Sequence, residues 1–190
     1  MSEIIDITIG LEALIRAAND GDDAAWGLIV DRFSGLVWAT ARAHRLSNAD
    51  ASDVVQTTWL RLVEHLDRIH NPDGLGAWLA TTARHECLRL IRLRGRELAT
   101  DESSLFDAPT DDPVDERLIT RERDRALQRA LRTVGERCQS LLRMLAAPDP
   151  PSYEEIGAAL GMPIGAIGPT RARCLEKLRR SPDLVGLGPA

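Results

Sequence analysis

Between Thr170 and Arg180 the chain carries Arg171, Arg173, Lys177, Arg179 and Arg180 against one acid, Glu176. At helical spacing, such side chains neutralise phosphates and donate to base edges, so the chemistry on offer is binding. A second polar group, Thr81, Thr82, Arg84, His85, Arg89 and Arg92, lies on one amphipathic stretch. Bond-making chemistry has little support. His44, His65, His70 and His85 form no ligand spacing with carboxylates, and neither a nucleophile motif nor a glycine-rich phosphate loop occurs. His85, Glu86 and Cys87 are consecutive and do not share a helix face, so they predict no metal site. Cys87, Cys138 and Cys174 are odd in number, far apart and without a CxxC pair. They are expected to be reduced core residues. No catalytic residue, no metal and no cofactor is therefore expected.

The elements that must position these side chains are helices. Ser152 is set to cap one helix, with Glu155 three residues later to complete a capping box. Ile156, Ala159 and Leu160 follow at helical spacing. Gly161 supplies the left-handed residue that ends the helix and releases a second one at an angle. On the second helix Ile164, Ile167, Arg171, Leu175 and Leu178 trace one side, and Pro169 requires a place in its first turn. This is the grammar of a helix-turn-helix. An ordinary helical hairpin or a stand-alone helix-turn-helix regulator would carry the same local pattern.

Upstream, Leu11, Leu14 and Ile15 open a short helix that ends near Asn19-Asp20-Gly21. Asp22 or Asp23 caps a longer one carrying Trp26, Ile29, Val30, Phe33, Val37 and Ala41, with a kink expected at Ser34-Gly35. Asn48 marks a third helix, with Val54, Val55, Trp59, Leu62 and Val63. A fourth runs from about Leu75 to Arg94, with Trp78, Leu79, Ala83, Cys87, Leu88 and Ile91 inward. No segment alternates with period 2, so the fold class is all-α: two helical domains joined by a flexible acidic linker.

The expected boundaries are residues 8–96 for a four-helix module, 97–117 for the linker, 118–181 for the helix-turn-helix module and 182–190 for a disordered tail. Charge follows these boundaries. The net charge is −5, yet residues 97–116 alone hold eight acids and no base, so the flanking modules remain free to present basic faces. No run of about 18 apolar residues occurs, and the N-terminus lacks the basic-then-apolar order of a signal peptide, which implies a soluble cytoplasmic protein.

Specific residues then resemble a known family. Asp50 to Ile69, with Asp53-Val54-Val55-Gln56 and Trp59-Leu60, precedes Leu75 to Arg94, with Ala77-Trp78-Leu79 and Ala83-Arg84. In order and spacing these motifs resemble sigma-70-family initiation factors, in particular the compact extracytoplasmic-function (ECF) group that keeps only the second and fourth sigma domains. The resemblance covers roughly residues 8 to 180. It implies a subunit that binds core RNA polymerase and recognises and melts promoter DNA, with an anti-sigma factor as a further partner and no membrane insertion.

On this resemblance, Asp53, Gln56, Arg61 and Glu64 are the polymerase-binding residues, docking on a coiled coil of the largest catalytic subunit. Asn71, in the loop from Asp67 to Gly74, captures a flipped base. Thr81, Thr82, Arg84, His85, Arg89 and Arg92 face the minus-ten DNA. Thr170, Arg171, Arg173 and Lys177 face the minus-35 element. The chain departs from the family at His85, where many members have Asn, and at Gly168-Pro169-Thr170-Arg171, which replaces a commoner Lys-Ser-Arg-containing stretch.

Overall fold

The computed structural model describes residues 10–98 and 118–184. Every element in them is helical: α1 (Leu11–Asn19), α2 (Asp23–Ala43), α3 (Asn48–His65), α4 (Leu75–Leu98), α5 (Leu118–Thr133), α6 (Glu136–Leu145), α7 (Tyr153–Leu160) and α8 (Ile164–Arg179). Two 3-10 turns, Leu66–Arg68 and Pro72–Gly74, connect α3 to α4. The all-α class read from the sequence holds. Apart from the end of α4, the linker expected at 97–117 lies outside the described residues, as do residues 8–9 and 185–190 of the expected terminal segments.

Side-chain caps set the starts of α2, α3 and α7. The Asp22 carboxylate accepts the amides of Ala24 and Ala25 at 2.8 and 3.2 Å and caps α2. At α3 the cap is Ser47, one residue before the expected Asn48: its hydroxyl accepts the Asp50 amide at 3.2 Å and donates to the Asp50 carboxylate at 2.8 Å. That carboxylate also receives the Arg94 guanidinium, tying the start of α3 to the far end of α4. Ser152 and Glu155 form the full capping box at α7, and Gly161 ends that helix at φ +61°.

Two details depart from expectation. Pro169 is the sixth residue of α8, in its second turn. The carbonyl left without an amide partner there belongs to Gly165, which is exposed and has open space around it. Residues 182–184, expected to fray, continue from buried Ser181 as a turn, held by the Leu184 amide on the Ser181 carbonyl and by Arg129 on Asp183 at 2.9 Å.

Ile29, Val37, Val54, Leu62, Leu75 and Leu79 are fully buried among α2, α3 and α4, and Leu14 and Ile15 of α1 close over them. The same apolar cluster runs on into Leu141, Met144, Ile156 and Ile167 of the C-terminal helices. Continuity comes from α7 lying along α4. Gly76 permits the approach, since a Cβ there would stand 2.0 Å from Glu155 Oε1. Polar ties flank this packing: Ser140 Oγ donates to the Ala43 carbonyl at 2.7 Å, and Arg45 meets Glu136 at 2.5 Å. Arg45 takes a left-handed φ of +56°, an uncommon conformation for a residue with a side chain, in the turn between α2 and α3.

The cysteines differ from the sequence reading. Cys138 and Cys174 form a disulfide between α6 and α8, with Cα atoms 5.4 Å apart. Partners 36 residues apart, outside any CxxC pattern, carry no local signal of pairing. Cys87 is the reduced core cysteine that was expected, and burial pushes its thiol up to about 12.

Candidate nucleic-acid and partner interface

The 100° step of a helix sorts α3 into two faces. Ala51, Val54, Val55, Thr58 and Leu62 are buried, whereas Asp53, Gln56, Leu60 and Glu64 share the exposed opposite face. Three of the four candidate polymerase contacts are thus on one stripe. Arg61 flanks it and pairs with Glu64 at 3.1 Å. Leu60 and Val63, 56% and 61% exposed, were missed as candidates. Their signal is an apolar side chain at a position that the helical step turns away from the core. Asp53, Gln56, Thr57 and Leu60 form one wall of an open groove of about 390 Å³, and Glu86, Arg89 and Leu90 of α4 form the other.

On α4 the same step places Thr81, Thr82, His85, Arg89 and Arg92 within about 100° of arc. They lie opposite buried Leu79, Ala80, Ala83 and Cys87. His85, Arg89 and Arg92 are exposed, and Thr81 and Thr82 are half-buried. Arg89 pairs with Glu86 at 2.6 Å and so belongs both to this face and to the groove. Arg84 leaves the group. It is half-buried against the turn of the helix-turn-helix, where a Cβ on Gly161 would meet its guanidinium at 2.8 Å. Ile91, expected inward, is 42% exposed. Asn71 is exposed ahead of the second 3-10 turn; its carbonyl accepts the Gly74 amide at 3.1 Å, and its side-chain amide lies beside Gly74, where a Cβ would stand 3.1 Å from Nδ2.

On α8, Thr170, Arg173 and Lys177 occupy one flank, and Arg173 approaches the Thr170 hydroxyl at 3.4 Å. Arg171 is exposed on the other flank, on the side of Ile164 and Leu175. Glu176 takes up Arg180 at 2.8 Å and reaches Arg179 at 3.9 Å. Among the described residues no acid pairs with Arg171, Arg173 or Lys177, which leaves their charge available to a polyanion.

Between these faces, His44 at the end of α2 places Nε2 3.1 Å from the Ala159 carbonyl of α7. Burial lowers its pKa against the raising effect of that hydrogen bond, and the Arg84 charge lowers it further. The described residues contain no group of three or more histidines, cysteines or carboxylates arranged to hold a metal. None of their helices is long and apolar enough to cross a membrane.

Comparison with known proteins meets this geometry. Residues 29–97, from within α2 to the end of α4, match sigma-70 region 2. The ECF RNA polymerase sigma factor SigE of Mycolicibacterium smegmatis is 29% identical over 164 residues, which are 84% of this chain and 63% of that protein. The chain thus spans somewhat less than two thirds of that relative. The ECF RNA polymerase sigma-E factor of Haemophilus influenzae is 22% identical over 166 residues, 82% of this chain and 86% of that one. In fold, the chain resembles the sigma factor RpoE in its complex with the anti-sigma factor NepR from Bartonella quintana. The TM-score is 0.62 at 22% identity, covering 81% and 94% of the two chains. It also resembles CnrH in complex with the cytosolic domain of CnrY, with a TM-score of 0.53 at 22% identity over 87% and 92%. Residues 29–97, which hold the Asp53-Val54-Val55-Gln56 helix, thus carry a sigma-70 region 2 domain, and over most of its length the chain is similar to ECF sigma factors.

Proposed function

We propose that the chain is a promoter-specificity subunit: a non-catalytic, cytoplasmic protein that binds core RNA polymerase, reads minus-35 and minus-ten elements and stabilises the melted promoter. The observation that carries this reading is the exposed stripe of α3. Asp53, Gln56, Leu60 and Glu64 stand together on a rigid helix whose other face is locked in the core. A stand-alone DNA-binding regulator has no need of it. Residues 8–96 would then serve as the polymerase-binding and melting module, 97–117 as the connector and 118–181 as the minus-35 reader.

Melting follows from differential binding: a protein favours open DNA when it binds exposed bases more tightly than stacked ones. Asn71 would present its amide to a flipped base, while Thr81, Thr82, His85, Arg89 and Arg92 follow the strand. Arg84 would join them once α7 moves off α4, because its guanidinium now faces Gly161. On α8, Thr170, Arg173 and Lys177 form the proposed minus-35 face, and Arg171 a flanking phosphate contact. An anti-sigma factor is a proposed further partner, as the structurally similar sigma factor RpoE is seen in complex with the anti-sigma factor NepR.

Transcription with core polymerase tests the division of labour. Arg173→Ala with Lys177→Ala should lower initiation about tenfold or more at promoters that depend on the minus-35 element, at roughly 1 kcal/mol per lost contact. Core binding should be unchanged. Equal loss of core binding would make these side chains structural.

A further inference from the structure

The Cys138–Cys174 link stands beside a small satellite of the apolar core. Ala126, Ala130, Val134 and Cys174 are buried, yet they lie outside the main cluster that joins the other helices. These small side chains, from α5, the α5–α6 turn and α8, offer little dispersion contact. The disulfide is the covalent tie from this satellite to α6, and the loop it closes contains α7, the turn and the first half of α8. Thr170, Arg173 and Lys177 surround Cys174 in sequence on the helix so held.

The two sulfurs are not equivalent. Cys138 is the third residue of α6 and half-buried, at a helix start that favours developing negative charge on sulfur. Cys174 is 1% exposed and faces inward. Cys87 belongs to neither site: it is buried among α2, α3 and α4, with its thiol pushed up to about 12 by burial. Oxidation is therefore directed to the pair.

We propose that Cys138 and Cys174 form an oxidant-responsive clamp that fixes the orientation of α8, so that oxidation raises and reduction lowers minus-35 recognition. The consequence for transcription rests on the function proposed above; the clamp itself does not. Its chemistry balances with a low-molecular-weight disulfide as oxidant. The Cys138 thiolate attacks one sulfur of that disulfide and displaces a thiolate. The Cys174 thiolate then attacks the Cys138 sulfur of the mixed disulfide and displaces the second. The two electrons leaving the protein thiols, and their two protons, end on two small thiols. An excess of small thiol reverses both steps.

The test uses the full chain in stepped ratios of reduced to oxidised glutathione, with acid quenching, denaturation and alkylation with N-ethylmaleimide. Mass should pass from three modified thiols to one as the ratio falls. Hydrogen exchange should then show amides of α5 and the second half of α8 opening about tenfold more often in the reduced chain, with α3 and α4 unchanged. Transcription with core polymerase, on promoters selected by the oxidised chain from random DNA, should fall severalfold on reduction. Cys138→Ser and Cys174→Ser should match the reduced chain at every ratio. Failure to form the bond at any ratio, or equal exchange in both states, overturns the clamp. Equal transcription in both states overturns its role in recognition. Absence of transcription in both states, with the exchange difference intact, upholds the clamp and overturns the proposed function instead.

Discussion

His44 joins the end of α2 to α7 through a hydrogen bond from Nε2 to the Ala159 carbonyl. Its pKa is lowered by burial and further by Arg84, so the folded form resists the proton that the unfolded chain takes up near its ordinary value of 6.5. Between the folded value and 6.5 the unfolded state binds more protons, and stability rises with pH across that window. The contribution of His44 is complete above 6.5 and declines as pH falls towards the folded value. Thermal melts from pH 8 to 5 should show the wild type losing stability relative to His44→Gln below about 6.5. Parallel curves would show that His44 does not feel its surroundings in this way. Nothing in the sequence singled out this residue, because its partner is a backbone carbonyl 115 residues away.

At the scale of the element, local chemistry decided what could be read in advance. The Ser152 to Gly161 segment carries its own start and stop, and both are realised: the capping box closes and Gly161 adopts the left-handed conformation. Ser152→Ala should destabilise the protein by about 1 kcal/mol, measured by denaturant unfolding. It also leaves the Glu155 amide without its side-chain acceptor. A change below a few tenths would mean that packing along α4 alone holds α7. Pro169 shows the limit of local reading. A proline predicts a first-turn position, but an exposed glycine four residues earlier lets the helix continue through it. The stripes of α3 and α4 were legible because the helical step depends on sequence position alone. The place of Arg84 was not, since it depends on which helix covers it.

At the scale of the whole molecule, two modules inferred from a break in periodicity pack into one continuous core, with α7 against α4. Contacts between distant segments have no periodic signature, so neither this packing nor the Cys138–Cys174 bond could be foreseen from the chain. The candidate partner surface was foreseen better. Asp53, Gln56 and Glu64 emerge side by side, and the structure adds Leu60, an exposed apolar residue whose burial would favour association. Association of the purified chain with core RNA polymerase tests the central claim most directly. The wild-type chain should bind in solution, and Asp53→Ala with Gln56→Ala should weaken binding tenfold or more, about 1.4 kcal/mol, while the melting temperature stays the same. Failure of the wild type to bind, or an affinity unmoved by the double substitution, would contradict it.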